Sequence, residues 1–125
     1  MRKVSKTVVK AFLAGESKSM GNTRTDGTSL FLHGNMIAWK RDRSLGETVI
    51  EVSTCGWNTS TTRERLNCLF SFLSSFGYES HVKRAFQRNF ETYFEVVSPT
   101  GEILLVNASE SNVIAGTLRE MAKVG

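Results

Sequence analysis

Apolar residues recur along this chain at two different periods. Val8, Val9, Phe12 and Leu13 fall at helical spacing, with Ser5 before them as an N-cap and Gly15 after them as a left-handed stop. That predicts a short amphipathic helix over residues 6–14. Between about residues 19 and 54 the period shortens to two. Leu30 and Leu32 share one strand face, and Ile37 and Trp39 share another. Asp26-Gly27 and Gly34-Asn35 read as two-residue hairpin loops, so the segment predicts an antiparallel meander. "TVIEVST" follows as a fourth strand, with either Val49 or Ile50 facing inward. Helical spacing then returns at Leu66, Leu69, Phe70, Leu73 and Phe76, and Gly77 ends the stripe. Thr61 and Glu64 form a capping-box pattern, which predicts a helix over 62–76 packed on the sheet.

The remainder is less regular. "HVKRAFQ", "FETYFEVVS" and "EILLVN" read as strands, with Pro99-Thr100-Gly101 as a turn. Val82, Phe86 and Phe90 also recur every four residues, so residues 78–95 carry a helical alternative; strands are favoured. A C-terminal helix over 110–123 is expected to turn Val113, Ile114, Leu118 and Met121 to the core. The pattern as a whole predicts one compact α+β domain over residues 1–125.

Composition changes little in this picture. The chain has 125 residues, 40% apolar and 22% charged, with one proline. That is ordinary globular chemistry and enough chain for a single core. Cys55 and Cys68 are too few for a disulfide scaffold and lack metal-ligand spacing, so both are read as reduced thiols in a cytoplasmic protein. No apolar run approaches the roughly 18 residues of a membrane span, and "MRKVSKTVVKAFLAG" lacks the features of a signal peptide. No membrane partner is expected.

Candidate catalytic chemistry is sparse. His33 and His81 are the two histidines. There is no H-E-x-x-H, nucleophile elbow or Walker loop. A thiol nucleophile at Cys55 has no local support. Glu51 and Glu64 make a weak carboxylate pair, because Glu64 is already explained as a cap. His33 beside Gly34 suits a turn better than catalysis. The sequence therefore predicts no enzyme, no catalytic residue, no metal and no cofactor.

Binding is better supported. The net charge of +4 leans towards phosphate-bearing partners. Turn regions collect Asn22, Thr23, Arg24 and Thr25, then His33 and Asn35, then Trp57 through Asn67. Caps and turns account for Asn35, Thr61 and Glu64, but not for Arg63 and Arg65. Arginine in a first helical turn costs about 0.3–1 kcal/mol of dipole repulsion. An anion over that turn would convert the cost into a site. The alternative is that both arginines pair with Glu51, Glu47 or a neighbouring subunit. The expected ligand site comprises Trp57, Thr59, Thr62, Arg63, Arg65 and Asn67, completed by Asn22, Arg24 and His33. Trp57 would stack on a base, and Thr62 and the arginines would meet phosphate. A second reading is a DNA- or RNA-binding module using Lys40, Arg41, Arg43, Lys83, Arg84 and Arg88.

The spacing "GNTRT…LFLHGNMIAWK…CGWNTSTTRERLN" resembles a widespread family of small bacteriophage and prophage proteins. Its members resemble GNT, then L-x-L-H-G-N-x-I-A, then G-W-x-T-x-T-T-x-x-R-L-N. Gly21 to Asn67 match, a little over a third of the chain. After Asn67 the chain departs from the family pattern of a short strand and a tryptophan-bearing tail. The resemblance carries over no functional residue. It implies a phage accessory factor in the host cytoplasm that acts by binding. By analogy with small oligomeric phage proteins, the expected function is sequestration of a nucleotide signal of host antiviral defence, a cyclic oligonucleotide or cyclised ADP-ribose. A homo-oligomer is expected. A protein inhibitor of a host enzyme is a further alternative.

Overall fold

The computed structural model describes residues 2–43 and 46–119. In them the predicted meander is present as five consecutive antiparallel strands: β1 (Ser17–Met20), β2 (Thr23–Asp26), β3 (Ser29–Leu32), β4 (Asn35–Arg43) and β5 (Glu47–Val52). The β3–β4 turn is His33-Gly34, one residue earlier than the sequence suggested. Both residues take positive φ, 52° and 80°, as a two-residue turn matched to strand twist requires.

Helix α1 (Lys3–Ala14) and helix α2 (Ser60–Phe72) cover one face of this sheet. α1 buries Val8, Val9, Phe12 and Leu13, and Gly15 ends it in the left-handed conformation. α2 buries Leu66, Leu69 and Phe70 against Leu30, Ile37, Ile50 and Val52, and Leu73 at its end joins the same core. Full burial of one such side chain contributes about 1.5–3 kcal/mol, so Leu66 and Leu69 alone outweigh the dipole cost of the arginines. A 3-10 turn, Ser74–Phe76, extends α2 to Gly77.

Two predicted caps are corrected. α1 starts at Lys3 with Arg2 as its N-cap, and Ser5 lies buried within the helix. α2 is capped by Thr59 rather than Thr61: the Thr59 hydroxyl accepts the Thr62 N–H at 3.2 Å. Glu64 does not close a capping box. Its carboxylate accepts hydrogen bonds from Ser5 and Arg65 instead.

The predicted C-terminal helix is also corrected. Val113–Arg119 is strand β10, paired antiparallel with β5 from Val113↔Val52 to Arg119↔Glu47. Residues 120–123 of that expectation, Met121 among them, lie outside the described residues. β10 also pairs with the short β6 (Glu79–Ser80), giving the sheet order β1-β2-β3-β4-β5-β10-β6. Both Val49 and Ile50 are buried, although they point to opposite faces of β5.

Residues 78–95 are strands, as favoured. β7 (Val82–Arg88), β8 (Glu91–Val97) and β9 (Ile103–Asn107) form a second antiparallel sheet in that order. It joins the first where the His81 N–H donates to the Ala115 carbonyl at 2.8 Å. It packs on α2 through Phe70 and Phe94, whose rings meet edge to face at 6.2 Å. α2 therefore touches both sheets, and its N-terminus lies beside the β3–β4 hairpin.

Candidate functional site

The chain between β5 and α2 makes a tight turn. Cys55 and Gly56 both take positive φ, and the Trp57 N–H donates to the Thr54 carbonyl at 2.9 Å. This delivers Trp57 and the first turn of α2 to the β3–β4 hairpin. Between them lies a pocket of about 250 Å³ lined by Leu32, His33, Asn35, Ile37, Trp57, Thr59, Thr61 and Thr62. Leu32 and Ile37 are buried and provide apolar wall. The hairpin and the helix start are more than twenty residues apart in sequence, yet they enclose one space.

Hydrogen bonding divides the polar residues of this region into two groups. Thr59 and Thr62 join hydroxyls at 2.9 Å and secure the helix start. The side chains of His33, Asn35, Trp57 and Thr61 have no hydrogen-bond partner among the described residues. Trp57 is 56% exposed. A pocket with an apolar floor, uncommitted polar groups and a helix N-terminus suits a small flat ligand bearing negative charge.

The other polar residues of the expected site are committed. Arg65 is only 2% exposed. Its Nε donates to Thr23 Oγ1 at 2.9 Å, Nη1 to Ser5 Oγ at 2.9 Å and to Glu64, and Nη2 to Asn22 Oδ1 at 3.1 Å. It clamps α1, α2 and β2 together and cannot meet a phosphate from outside. Asn22 serves the same clamp. Asn67 is likewise structural: its Nδ2 donates to the Ala85 carbonyl at 2.9 Å, and its Oδ1 accepts the Ala85 N–H at 2.7 Å. Arg24 is exposed on β2 and lies over the Phe31 ring at 4.0 Å.

Arg63 points away from the pocket, towards the second sheet. It donates to Asn58 Oδ1 at 3.0 Å, Thr92 Oγ1 at 3.3 Å and Gln87 Oε1 at 3.3 Å. Thus His33, Trp57, Thr59 and Thr62 come together, while Arg63, Arg65, Asn67, Asn22 and Arg24 do not join them. Neither arginine pairs with Glu47 or Glu51. Asn35 and Thr61 line the pocket and were set aside in sequence as turn and cap formers.

The basic residues of the nucleic-acid reading are mostly occupied. Lys40 donates to the Phe12 carbonyl at 2.6 Å and the Gly27 carbonyl at 3.0 Å, and burial pushes its ammonium pKa down. Arg41 pairs with Glu51, Arg43 with Glu47 and Arg84 with Glu95. Arg84 and Arg88 flank Phe86, which stacks on Tyr93. Glu91 and Glu95 stand opposite the two arginines on that face, so the strip is not a one-sign surface. Lys83 is exposed.

Among the described residues, no group of three or more His, Cys, Asp and Glu side chains is placed to hold a metal ion. No helix there is long and apolar enough to cross a membrane.

Comparison with known families matches residues 1–114 to the model of the Kyanoviridae Gp96 protein family. The chain belongs to that family. It is a phage family, so the viral source implied by the motif resemblance holds at this coarser level. No curated protein and no solved structure matches this Gp96 family member. The match runs well beyond Asn67, through both sheets to the start of β10.

Proposed function

We propose that this phage protein binds a nucleotide without turning it over, in the pocket between the β3–β4 hairpin and the N-terminus of α2. By doing so it sequesters a nucleotide signal of host antiviral defence, a cyclic oligonucleotide or cyclised ADP-ribose. The observation that carries this reading is the convergence of His33, Asn35, Trp57 and Thr61, whose side chains have no hydrogen-bond partner among the described residues, on one cavity with an apolar floor. Trp57 and the floor take the base. The Thr61 hydroxyl and the unpaired N–H groups of the first helical turn take phosphate, in place of the arginines. His33 and Asn35 read the edge of the base or ribose. A volume of about 250 Å³ lies just below the usual range of small-molecule sites, so the pocket takes one nucleotide unit of a larger ligand.

A thermal-shift screen of cyclic dinucleotides, cyclic trinucleotides and cyclised ADP-ribose tests this. At a hundredfold excess over Kd, binding adds about 2.7 kcal/mol, several degrees in Tm for a chain of this size. The ligand should be recovered intact after incubation. A panel with no shift, or a ligand that is consumed, overturns the reading.

A further inference from the structure

The exposed edges of the two sheets are not alike. β1 (Ser17–Met20) is mostly polar and carries Lys18, and β6 is two residues long. The free side of β7 is closed by the Asn67 clamp on Ala85. These are ordinary ways of preventing strand addition. β9, Ile103 to Asn107, has none of them. It contains no charged residue and no proline, and among the described residues it pairs only with β8. Ile103, Leu104 and Leu105 are 50, 55 and 46% exposed.

The backbone of β9 is also available. The Glu102 carbonyl accepts the Ser98 N–H, and the Ala108 N–H donates to the Thr92 carbonyl. Even-numbered residues therefore face β8, and strand alternation turns the peptide groups of Ile103, Leu105 and Asn107 outward. The Asn107 carbonyl is taken up by the N–H groups of Glu110 and Ser111. Leu104 lies on one face of the sheet, and Ile103 and Leu105 lie on the other. A helix or ligand laid on one face would leave these peptide groups unpaired, whereas an added strand pairs those of Ile103 and Leu105 and sets cross-strand neighbours beside the apolar side chains of both faces.

We propose that β9 pairs antiparallel with β9 of a second copy of this chain, about a two-fold axis at Leu105, joining two three-stranded sheets into one. The strand is self-complementary in that register. Leu105 meets itself, Leu104 meets Val106, Ile103 meets Asn107 and Glu102 meets Ala108, so no like charges stand directly opposite. The three exposed side chains offer on the order of 300 Å² per chain, so two copies supply roughly half the area of a small stable interface. A contact of this size suits a weak dimer rather than a permanent one. This inference is independent of the nucleotide reading.

Sedimentation equilibrium over a wide concentration range tests it. The wild-type chain should give a dimer that dissociates on dilution. Leu105→Lys places two ammonium groups face to face at the axis and should raise the dissociation constant about tenfold or more. Hydrogen exchange on the wild-type chain provides a readout that needs no variant: the Leu105 amide should be protected at high concentration and should lose that protection on dilution. A wild-type monomer at every concentration with a freely exchanging Leu105 amide overturns the proposal and leaves the edge to a strand of another protein. A Leu105→Lys dimer as tight as wild type also overturns it.

Discussion

The Arg65 side chain holds four hydrogen-bond partners and the Trp57 side chain none among the described residues, although the two lie eight residues apart in one motif. Substitution should separate their roles. Arg65→Ala strands Glu64, Thr23 and Asn22 in a nearly enclosed network. Breaking a buried ion pair in this way costs about 3–5 kcal/mol, which urea denaturation would show as a lower midpoint. The fraction that stays folded should keep its ligand affinity. Trp57→Ala and Thr61→Val should do the reverse, leaving the midpoint within about 1 kcal/mol while removing the ligand-induced rise in Tm. If Trp57→Ala binds as tightly as wild type, the pocket is wrongly placed. The cysteines divide in a similar way. Burial, with Glu64 nearby, pushes the Cys68 thiol up to about 11, whereas Cys55 is exposed. Iodoacetamide should modify Cys55 in the native protein and Cys68 only after unfolding. Rapid loss of both thiols would contradict this burial.

Among the elements, α1 depends most on a contact distant in sequence. Its last turn docks on the β2–β3 turn, where Lys40 reaches the Phe12 and Gly27 carbonyls. Gly27 has φ +91°, and a Cβ there would lie 2.7 Å from the Gly15 carbonyl oxygen. Gly27→Ala should therefore cost more than the roughly 0.5 kcal/mol of an ordinary surface change, about 2 kcal/mol or more, measured as a shift in the unfolding midpoint. The same turn carries an acid-sensitive bond set. Asp26 Oδ1 accepts the N–H groups of Thr28 and Ser29, which hold its pKa below the ordinary 3.8. A carboxyl depressed on folding stabilises above its unfolded pKa, and that contribution is lost as pH falls through the folded value. Tm should fall on acidification below about pH 4, and Asp26→Asn should weaken that dependence. Equal pH profiles for both chains would rule out the assignment. Local patterns were a good guide to these elements wherever the deciding force was local. The buried stripe of α2 and the glycine stop of α1 were legible. The α2 cap was misread because Glu64 is recruited by Ser5 and Arg65 from other elements. β10 was misread because Val113, Ile114 and Leu118 fit a helix until the open edge of β5 is known. Its β-branched residues and Gly116 were the available signal.

At the scale of the whole molecule, the Gly21–Asn67 motif serves two purposes at once. Part of it fastens α1, α2 and β2 together, and part of it lines the pocket. Sequence showed that these polar residues exceeded the needs of caps and turns, but not which of them were spent inside the fold. That depends on pairings across more than forty residues, such as Arg65 with Thr23. Phe90 differs for a related reason: the sequence reads it as the first residue of the strand FETYFEVVS, yet it occupies the turn before β8 at positive φ and is 88% exposed. The β9 edge showed in sequence only as a short apolar strand. Its availability follows from where the second sheet ends.

The Arg65 clamp has a consequence for how such a chain can diverge. Ser5, Asn22, Thr23, Glu64 and Arg65 are joined by hydrogen bonds to one another, so losing one releases the constraint on the rest. These five positions should be inherited or replaced as a block, whatever the ligand. His33, Asn35, Trp57 and Thr61 share no such bond, and each is free to drift singly as the ligand changes.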